Sequence, residues 1–194
     1  MPVRIGRQYP DDAGAALLES MGVSALSRIN DLPAGAAEEE LLSCCASPVW
    51  ARAVVAARPY PDMEAVIAAA RAALAALPWP EIARALDAHP RIGTRPAGDR
   101  QEAAWSRREQ AGVDHDDDRT LAALAEVNRA YDERFGHVLL IFASGKSGAE
   151  LLEIAQGRLR NDEATERRVI RDELGKIVAL RVERLLDVHG AVTG

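Results

Sequence analysis

Apolar residues recur at intervals of three and four positions along most of this chain, and prolines and glycines interrupt the pattern. Such spacing places apolar side chains on one side of a helix. It predicts helices over residues 38–45, 49–57, 63–77, 81–88, 101–111, 119–134, 149–159 and about 163–188. The pattern therefore indicates an all-α protein that forms a single compact multi-helix domain.

Residues with special backbone preferences set the predicted ends of these helices. Pro48 and Pro80 suit first turns, and Asp62 is a suitable N-cap. The sequence from Ser147 to Glu150 is a capping box. Several helices are predicted to end at glycines, namely Gly112, Gly136 and Gly190.

One short segment departs from the helical pattern. Residues 138–143 form an apolar run that contains Val, Ile and Phe. No second strong strand is available to pair with it, so we expect an extended or irregular buried stretch. The predicted organisation is an N-terminal extension over residues 1–31 with no assigned role, one helical domain over 32–188, and a tail over 189–194.

Composition narrows the class of protein. A chain of 194 residues can bury a substantial core, and its low aromatic content of 4% favours closely packed helices over a β-sandwich. The net charge is −6 and no basic face is evident, so no nucleic-acid partner is expected. No apolar run reaches the roughly 18–20 residues that cross a bilayer, so no membrane association is expected.

Two further observations concern the cellular compartment. The N-terminal segment, Met1 to Asp12, lacks the apolar region of a secretory signal. The only cysteines are the neighbours Cys44 and Cys45, which we interpret as small buried residues. Both observations predict a cytoplasmic protein.

Candidate chemistry is concentrated between residues 89 and 110. His89 ends a predicted helix immediately before Pro90, which fixes the direction of the neighbouring backbone. Ser106, Glu109 and Gln110 follow the spacing i, i+3, i+4 and therefore share one helix face. Hydroxyl, carboxylate and amide groups suit a ring that carries several N–H and C=O groups. The alternatives are that His89 is a simple helix cap and that the face is merely solvated.

Other chemistries find little support in the sequence. The segment 144–147 (SGKS) lacks the upstream glycine of a phosphate loop, because position 140 is Leu140. The acidic run 114–118 (DHDDD) reads as a solvated loop in which Asp118 caps the next helix, with metal binding as the alternative. No Cys/His cluster indicates zinc, and no Gly-x-Ser-x-Gly turn indicates a hydrolase. We therefore expect a site without metal or cofactor.

Three segments in the same order closely resemble the OHCU decarboxylases: 89–93 (HPRIG), 105–112 (WSRREQAG) and 128–136 (NRAYDERFG). These enzymes act on 2-oxo-4-hydroxy-4-carboxy-5-ureidoimidazoline, the last unstable intermediate between urate and (S)-allantoin. The resemblance extends from about Leu32 to Leu186. It implies an all-helical homodimer that binds a small ureide and needs no metal or organic cofactor.

The resemblance also implies roles for individual residues. His89 would be the catalytic acid/base, and Glu109 would be its carboxylate partner. Pro90 would shape the wall beside His89, and Ser106 and Gln110 would hydrogen-bond the ureido and ring amides. Backbone groups of Ile141, Phe142 and Ala143 would also bind the substrate. Arg181 would meet an anionic part of the substrate, with Arg158 as a second candidate.

The chain also departs from the pattern of many relatives. They have Phe-Gly-Phe-Pro-Phe where this chain has FGHVL over 135–139, and a basic residue where it has Ser144; Lys146 lies nearby. Two other functions stay open at this stage, a non-catalytic helical binding module and an enzyme of this fold that acts on a different ureide or small carboxylate.

Overall fold

The computed structural model describes residues 26–93, 101–110 and 118–190. Within these ranges the chain forms nine helices and no strand, which confirms the all-α prediction. Residues 26–31 form α1. The others are α2 (Ala34–Leu42), α3 (Pro48–Ala56), α4 (Met63–Ala75), α5 (Trp79–Asp87), α6 (Gln101–Glu109), α7 (Asp118–Phe135), α8 (Gly148–Arg158) and α9 (Glu163–Gly190).

Most helix ends lie within one or two residues of their predicted positions. The Asp62 side chain accepts a hydrogen bond from the N–H of Ala65, and the capping box from Ser147 to Glu150 is present. The largest difference is in α2, which spans Ala34–Leu42 instead of residues 38–45. In addition, Asp118, predicted as a cap, is itself helical, and α9 extends to Gly190. The predicted cap at Gly112 and the acidic run up to residue 117 lie outside the described residues.

The apolar side chains form two buried clusters. The larger one packs α4 against α9 and includes Trp50, whose Nε1–H donates to the carbonyl oxygen of Ala70 at 2.9 Å. The smaller one packs α7 against α8 around Leu124 and Leu151. The helices therefore form two packed groups that share one chain segment.

That shared segment is the predicted irregular stretch over residues 138–143, which is extended and largely buried. Leu140 belongs to the larger cluster, whereas Leu139 and Ile141 belong to the smaller one. Because successive side chains of an extended chain point to opposite sides, one short segment can fill both clusters. This confirms the expectation of a buried, unpaired stretch.

A buried polar network anchors this segment. The guanidinium of Arg158 donates to the carboxylate of Glu166, with an Nε–Oε1 distance of 2.8 Å, and also to the carbonyl oxygen of Leu140. Glu166 further accepts hydrogen bonds from Tyr131 and Asn161. Burial would raise the pKa of Glu166, but the hydrogen bonds from Arg158, Tyr131 and Asn161 hold it below its usual value.

The N-terminal end of the described chain packs against the domain. Ile29 is buried in the larger cluster, and the Asn30 side chain hydrogen-bonds to both backbone groups of Tyr60. Residues 26–31 of the predicted extension thus contact the domain, and residues 1–25 lie outside the described part. Cys44 and Cys45 are buried and unbridged, as predicted, and burial raises the pKa of the Cys45 thiol to about 12.

No single helix among the described residues is long and apolar enough to cross a membrane. The pair α4 and α5 together has sufficient length and apolar character, but the two helices meet at an angle of 113°.

Candidate active site

His89 lies just beyond α5, and two hydrogen bonds to that helix fix its position. Its backbone N–H donates to the carbonyl oxygen of Leu86 at 2.9 Å, and its ring Nδ1 lies 2.8 Å from the carbonyl oxygen of Ala85. A carbonyl oxygen only accepts, so Nδ1 carries the hydrogen and Nε2 carries the lone pair. Nε2 is buried and has no hydrogen-bond partner among the described residues.

The electrostatic surroundings keep this imidazole neutral. Burial, and to a smaller degree the positive charge of Arg181, lower the pKa of His89 to about 4, although the hydrogen bond to the Ala85 carbonyl opposes both effects. At neutral pH the ring is therefore an uncharged base with an available lone pair. This is the state that a general base requires.

The α6 face predicted from sequence spacing faces the same cavity as His89. Ser106, Glu109 and Gln110 are all buried and all line it. The amide oxygen of Gln110 accepts a hydrogen bond from the N–H of Gly93 at 3.0 Å. Gly93 has φ +79°, a left-handed conformation that favours glycine. Gln110 therefore attaches the loop after His89 to α6.

Arg181 of α9 completes the polar side of the site. Its Nε lies 3.1 Å from Oε1 of Glu109, and its Nη2 lies 2.9 Å from Oε2 of the same carboxylate and 3.1 Å from Oγ of Ser106. Arg184, one turn further along α9, donates from Nη1 to Oε1 of Glu109 at 3.2 Å. No hydrogen bond joins Glu109 to His89, although both line the cavity.

The extended segment contributes apolar residues to the lining of the cavity. The cavity is lined by His89, Pro90, Ile92, Ser106, Glu109, Gln110, Leu140, Ile141, Ala143 and Ile177. Ile141 is buried, and neither its N–H nor its C=O has a hydrogen-bond partner in the described part of the chain. A buried backbone without partners is uncommon, so these two groups are available to a ligand.

The cavity in this structure is small. Its volume is about 20 Å³, which is room for about one water molecule. A ureide therefore fits only when part of the lining moves apart. A wider groove of about 540 Å³ lies between α4 and α9, but none of the predicted site residues line it.

Three predicted binding residues are not among those that line the cavity, namely Arg181, Arg158 and Phe142. Arg181 contacts two lining residues, Glu109 and Ser106, whereas Arg158 and Phe142 are engaged elsewhere. Arg158 is occupied by Glu166 and Leu140 in the buried network described above. Phe142 donates its N–H to Glu173 at 2.6 Å and accepts from Nζ of Lys146 at 2.7 Å, so both of its backbone groups are engaged. Lys146 likewise binds this backbone and lies over the Phe142 ring, with Nζ 5.3 Å from its centroid.

Sequence reasoning did not assign Ile92, Leu140, Ile177 or Arg184 to the site, although Ile92 belongs to the segment 89–93 that was singled out. Arg184 could have been found, because it lies three positions after Arg181 and so shares its helix face. Leu140 and Ile177 carried no such signal, since they look like any other core residues. Among the described residues, no group of three or more His, Cys, Asp or Glu could hold a metal ion.

Comparisons with known proteins identify the family to which this chain is similar. The sequence model of the family described as OHCU decarboxylase matches residues 30–183. The Uric acid degradation bifunctional protein TTL of Arabidopsis thaliana is 30% identical over 152 residues, which cover 76% of this chain and 47% of that protein. This chain thus spans about half the length of that curated relative.

Solved structures show the same fold. A crystal structure of OHCU decarboxylase in the presence of (S)-allantoin aligns with a TM-score of 0.67 and 28% identity, covering 76% of this chain and 97% of the other. A crystal structure of (S)-allantoin synthase aligns with a TM-score of 0.62 and 16% identity, covering 82% of this chain and 53% of the other. At this identity the second match supports the fold alone.

Proposed function

This chain belongs to the OHCU decarboxylase family, and we propose that it decarboxylates 2-oxo-4-hydroxy-4-carboxy-5-ureidoimidazoline (OHCU) to (S)-allantoin in urate degradation. The observation that carries the proposal is the Nε2 atom of His89, a neutral buried base without a partner among the described residues. It lies in a cavity whose other polar groups suit a ureide ring.

The substrate supplies its own electron sink. Its carboxylate is attached to the ring carbon that also carries the hydroxyl, next to a C=N bond. When the carbon–carboxylate bond breaks, CO₂ leaves and the electron pair moves through the adjacent carbon onto the imine nitrogen, which takes up one proton. The protein therefore needs to orient the ring and to move protons.

His89 performs the second proton movement in this proposal. Nε2 accepts the proton of the ring hydroxyl as that carbon becomes a carbonyl, and it delivers a proton to the ureido-bearing carbon. One proton is consumed overall, at the imine nitrogen. Because His89 is held on one side of the cavity by Ala85, delivery occurs on one face of the ring and yields one enantiomer. Positioned proton transfer of this kind contributes about 10²–10⁴-fold to a rate.

The remaining residues bind and orient the substrate. Arg181, still paired with Glu109, offers a positive charge to the carboxylate that leaves. The hydroxyl of Ser106 and the amide N–H groups of Gln110 suit ring and ureido oxygens, because the Gln110 oxygen is already occupied by Gly93. The backbone of Ile141 provides one donor and one acceptor. No hydrogen bond joins Glu109 to His89, so Glu109 assists His89 indirectly, through the substrate that both residues contact.

We extend the proposal to the assembly and the compartment. The family resemblance supports a cytoplasmic homodimer that works without metal or organic cofactor, and the two buried unbridged cysteines agree with a reducing compartment. Sedimentation of the purified protein tests the dimer, and activity after exhaustive chelation tests the independence from metal.

Circular dichroism of freshly generated OHCU, with and without this protein, tests the activity. We expect the substrate to decay faster than its spontaneous rate and to give the signal of (S)-allantoin. Decay at the spontaneous rate to an optically inactive product would overturn the proposed function.

A further inference from the structure

Arg184 is a second cation bound to the site carboxylate. Its Nη1 lies 3.2 Å from Oε1 of Glu109, the oxygen that also accepts from Nε of Arg181. About a quarter of its side chain is exposed, against 4% for Arg181. Arg184 therefore lies at the edge of the site, between the buried ion pair and solvent.

The described charged groups at this site do not balance. Arg181 and Arg184 each carry one positive charge, Glu109 carries one negative charge, and His89 is neutral. The pair formed by Arg181 and Glu109 is neutral as a unit, so the excess positive charge is the one that Arg184 adds. A buried or half-buried excess charge is costly unless an opposite charge can join it.

The reaction supplies that opposite charge and then removes it. The substrate carries one carboxylate, which leaves as CO₂, and the product has no charged group. Resting on the function proposed above, we propose that Arg184 is a specificity-determining residue that makes the site prefer the carboxylate-bearing substrate over the neutral product. Arg184 acts through Glu109, because it binds the same Oε1 atom as Arg181. Glu109 therefore keeps a cationic partner while Arg181 attracts the substrate carboxylate.

This arrangement predicts that the site discriminates substrate from product by charge, in addition to any difference in hydrogen bonds. Substrate and product share the ureido group and most of the ring, to which Ser106, Gln110 and Ile141 are assigned. They differ at the hydroxyl, which becomes a carbonyl, and at the C=N bond, but the carboxylate is the only charged group that one has and the other lacks. The preference for the substrate therefore depends on the site charge, and product release becomes easier once CO₂ has left.

The test uses Arg184→Gln and Arg184→Lys in the full chain, with Arg168→Gln as the control. Arg168 is exposed on the same helix, sixteen residues earlier and about 24 Å away along the axis. We measure KM and kcat for freshly generated OHCU and, by calorimetry, the Kd of (S)-allantoin. For Arg184→Gln we expect KM to rise about tenfold, as one weakened ion–ion attraction predicts, with less than a twofold change in the Kd of allantoin.

The other variants separate charge from shape. Arg184→Lys keeps the charge and should recover most of the KM, and Arg168→Gln should leave both constants unchanged. A salt titration of the wild type provides a test that does not depend on the folding of a variant. Because salt screens the charge interaction, the KM of OHCU should rise with added NaCl, whereas the Kd of allantoin should not. Equal effects on substrate and product, no effect on KM in Arg184→Gln, or failure of lysine to recover KM would overturn the assignment. Lack of turnover in the wild type would instead refute the proposed function.

Discussion

The guanidinium of Arg181 binds both carboxylate oxygens of Glu109, at 3.1 and 2.9 Å, across 72 positions of sequence. The contact joins α6 to α9, and both side chains are buried. Removal of one partner from such a pair leaves a buried charge unmatched, which is strongly unfavourable. The pair that shapes the polar side of the cavity therefore also holds two helices together, and its substitution affects stability and activity together.

Glu109→Gln should show both effects. The amide keeps the size of the side chain but cannot neutralise Arg181 and Arg184, so we expect the free energy of unfolding to fall by about 3 kcal/mol. Turnover should fall in the same variant, because Arg181 loses its fixed position. Urea unfolding and initial rates measure the two effects. Glu126→Gln, which removes a fully exposed ion pair with Arg129, is the control and should change neither.

His89→Asn should separate chemistry from folding. Asparagine removes the basic nitrogen that no described residue contacts, so we expect turnover to fall about 10²-fold or more and the product to lose its enantiomeric excess. The thermal midpoint should change little by comparison. Circular dichroism follows the turnover and the enantiomeric excess of the product, and it also gives the thermal midpoint of the protein. His137→Asn provides the matched substitution: it removes a ring packed between Trp79 and Phe135 and should lower stability while stereoselectivity is retained.

The fold was predictable from the sequence because its signals are local. The spacing of apolar residues and the caps at Asp62 and Ser147 depend on neighbours three or four positions away. The start of α2 was predicted late, since the small residues from Ala34 to Ala37 carry little amphipathic signal. Gly190 is still helical at the end of the described chain, since a glycine permits a left-handed turn without requiring one.

The site was predictable only in part, for a related reason. The helix face and the segment around His89 predicted four site residues, His89, Ser106, Glu109 and Gln110. The structure places all four around one cavity. Arg181 was predicted as the first candidate for an anionic substrate group and Arg158 as the second, and the sequence did not show that both are already paired with carboxylates. Arg158 binds Glu166, eight positions away, and Arg181 binds Glu109, 72 positions away, and helical spacing predicts neither pair.

Arg158→Lys tests whether Arg158 binds substrate or only holds the extended segment. Lysine cannot supply the several directed donors that reach both Glu166 and the Leu140 carbonyl. We expect a loss of about 2–4 kcal/mol in unfolding free energy and a fall in kcat as Ile141 shifts. Tyr131→Phe removes the hydrogen bond to Glu166 and the long one, 3.5 Å, that Tyr131 accepts from Nη2 of Arg158, but it leaves the Arg158–Glu166 pair in place and should show a smaller loss. A higher KM with unchanged stability in Arg158→Lys would instead support direct substrate contact.

Gly93→Ala should disturb the site through the backbone. An alanine at φ +79° costs about 1–2 kcal/mol, and a shift of this residue would weaken the hydrogen bond from its N–H to Gln110. Gly145→Ala is a close control, since Gly145 has φ +78° and no atom within 4 Å of an added Cβ. Both variants should lose similar stability, but only Gly93→Ala should lower turnover. Equal activity in the two variants would argue against a role for the Gly93–Gln110 contact.

The low pKa of His89 predicts how stability depends on pH. The folded value is about 4 and the ordinary value is 6.5, so between these two values the unfolded chain binds more protons at this residue. The contribution of His89 to the free energy of unfolding is therefore fully present above about pH 6.5. It is lost as the pH falls toward 4, by about 3 kcal/mol in total. Urea unfolding at pH 7.5 and pH 5.0 should show about 2 kcal/mol of this loss.

Carboxylates also titrate toward the lower end of this range, so the comparison with His89→Asn isolates the contribution of the histidine. The variant should lose less stability than the wild type over the same interval, and its pH profile should be flatter. Activity should follow the same group: because the neutral ring of the free enzyme is the base, the acid limb of kcat/KM should lie well below pH 6.5. A limb near 6.5, or equal pH profiles of stability in the two proteins, would mean that His89 titrates as an exposed histidine and is not the buried neutral base on which the proposed proton transfer depends.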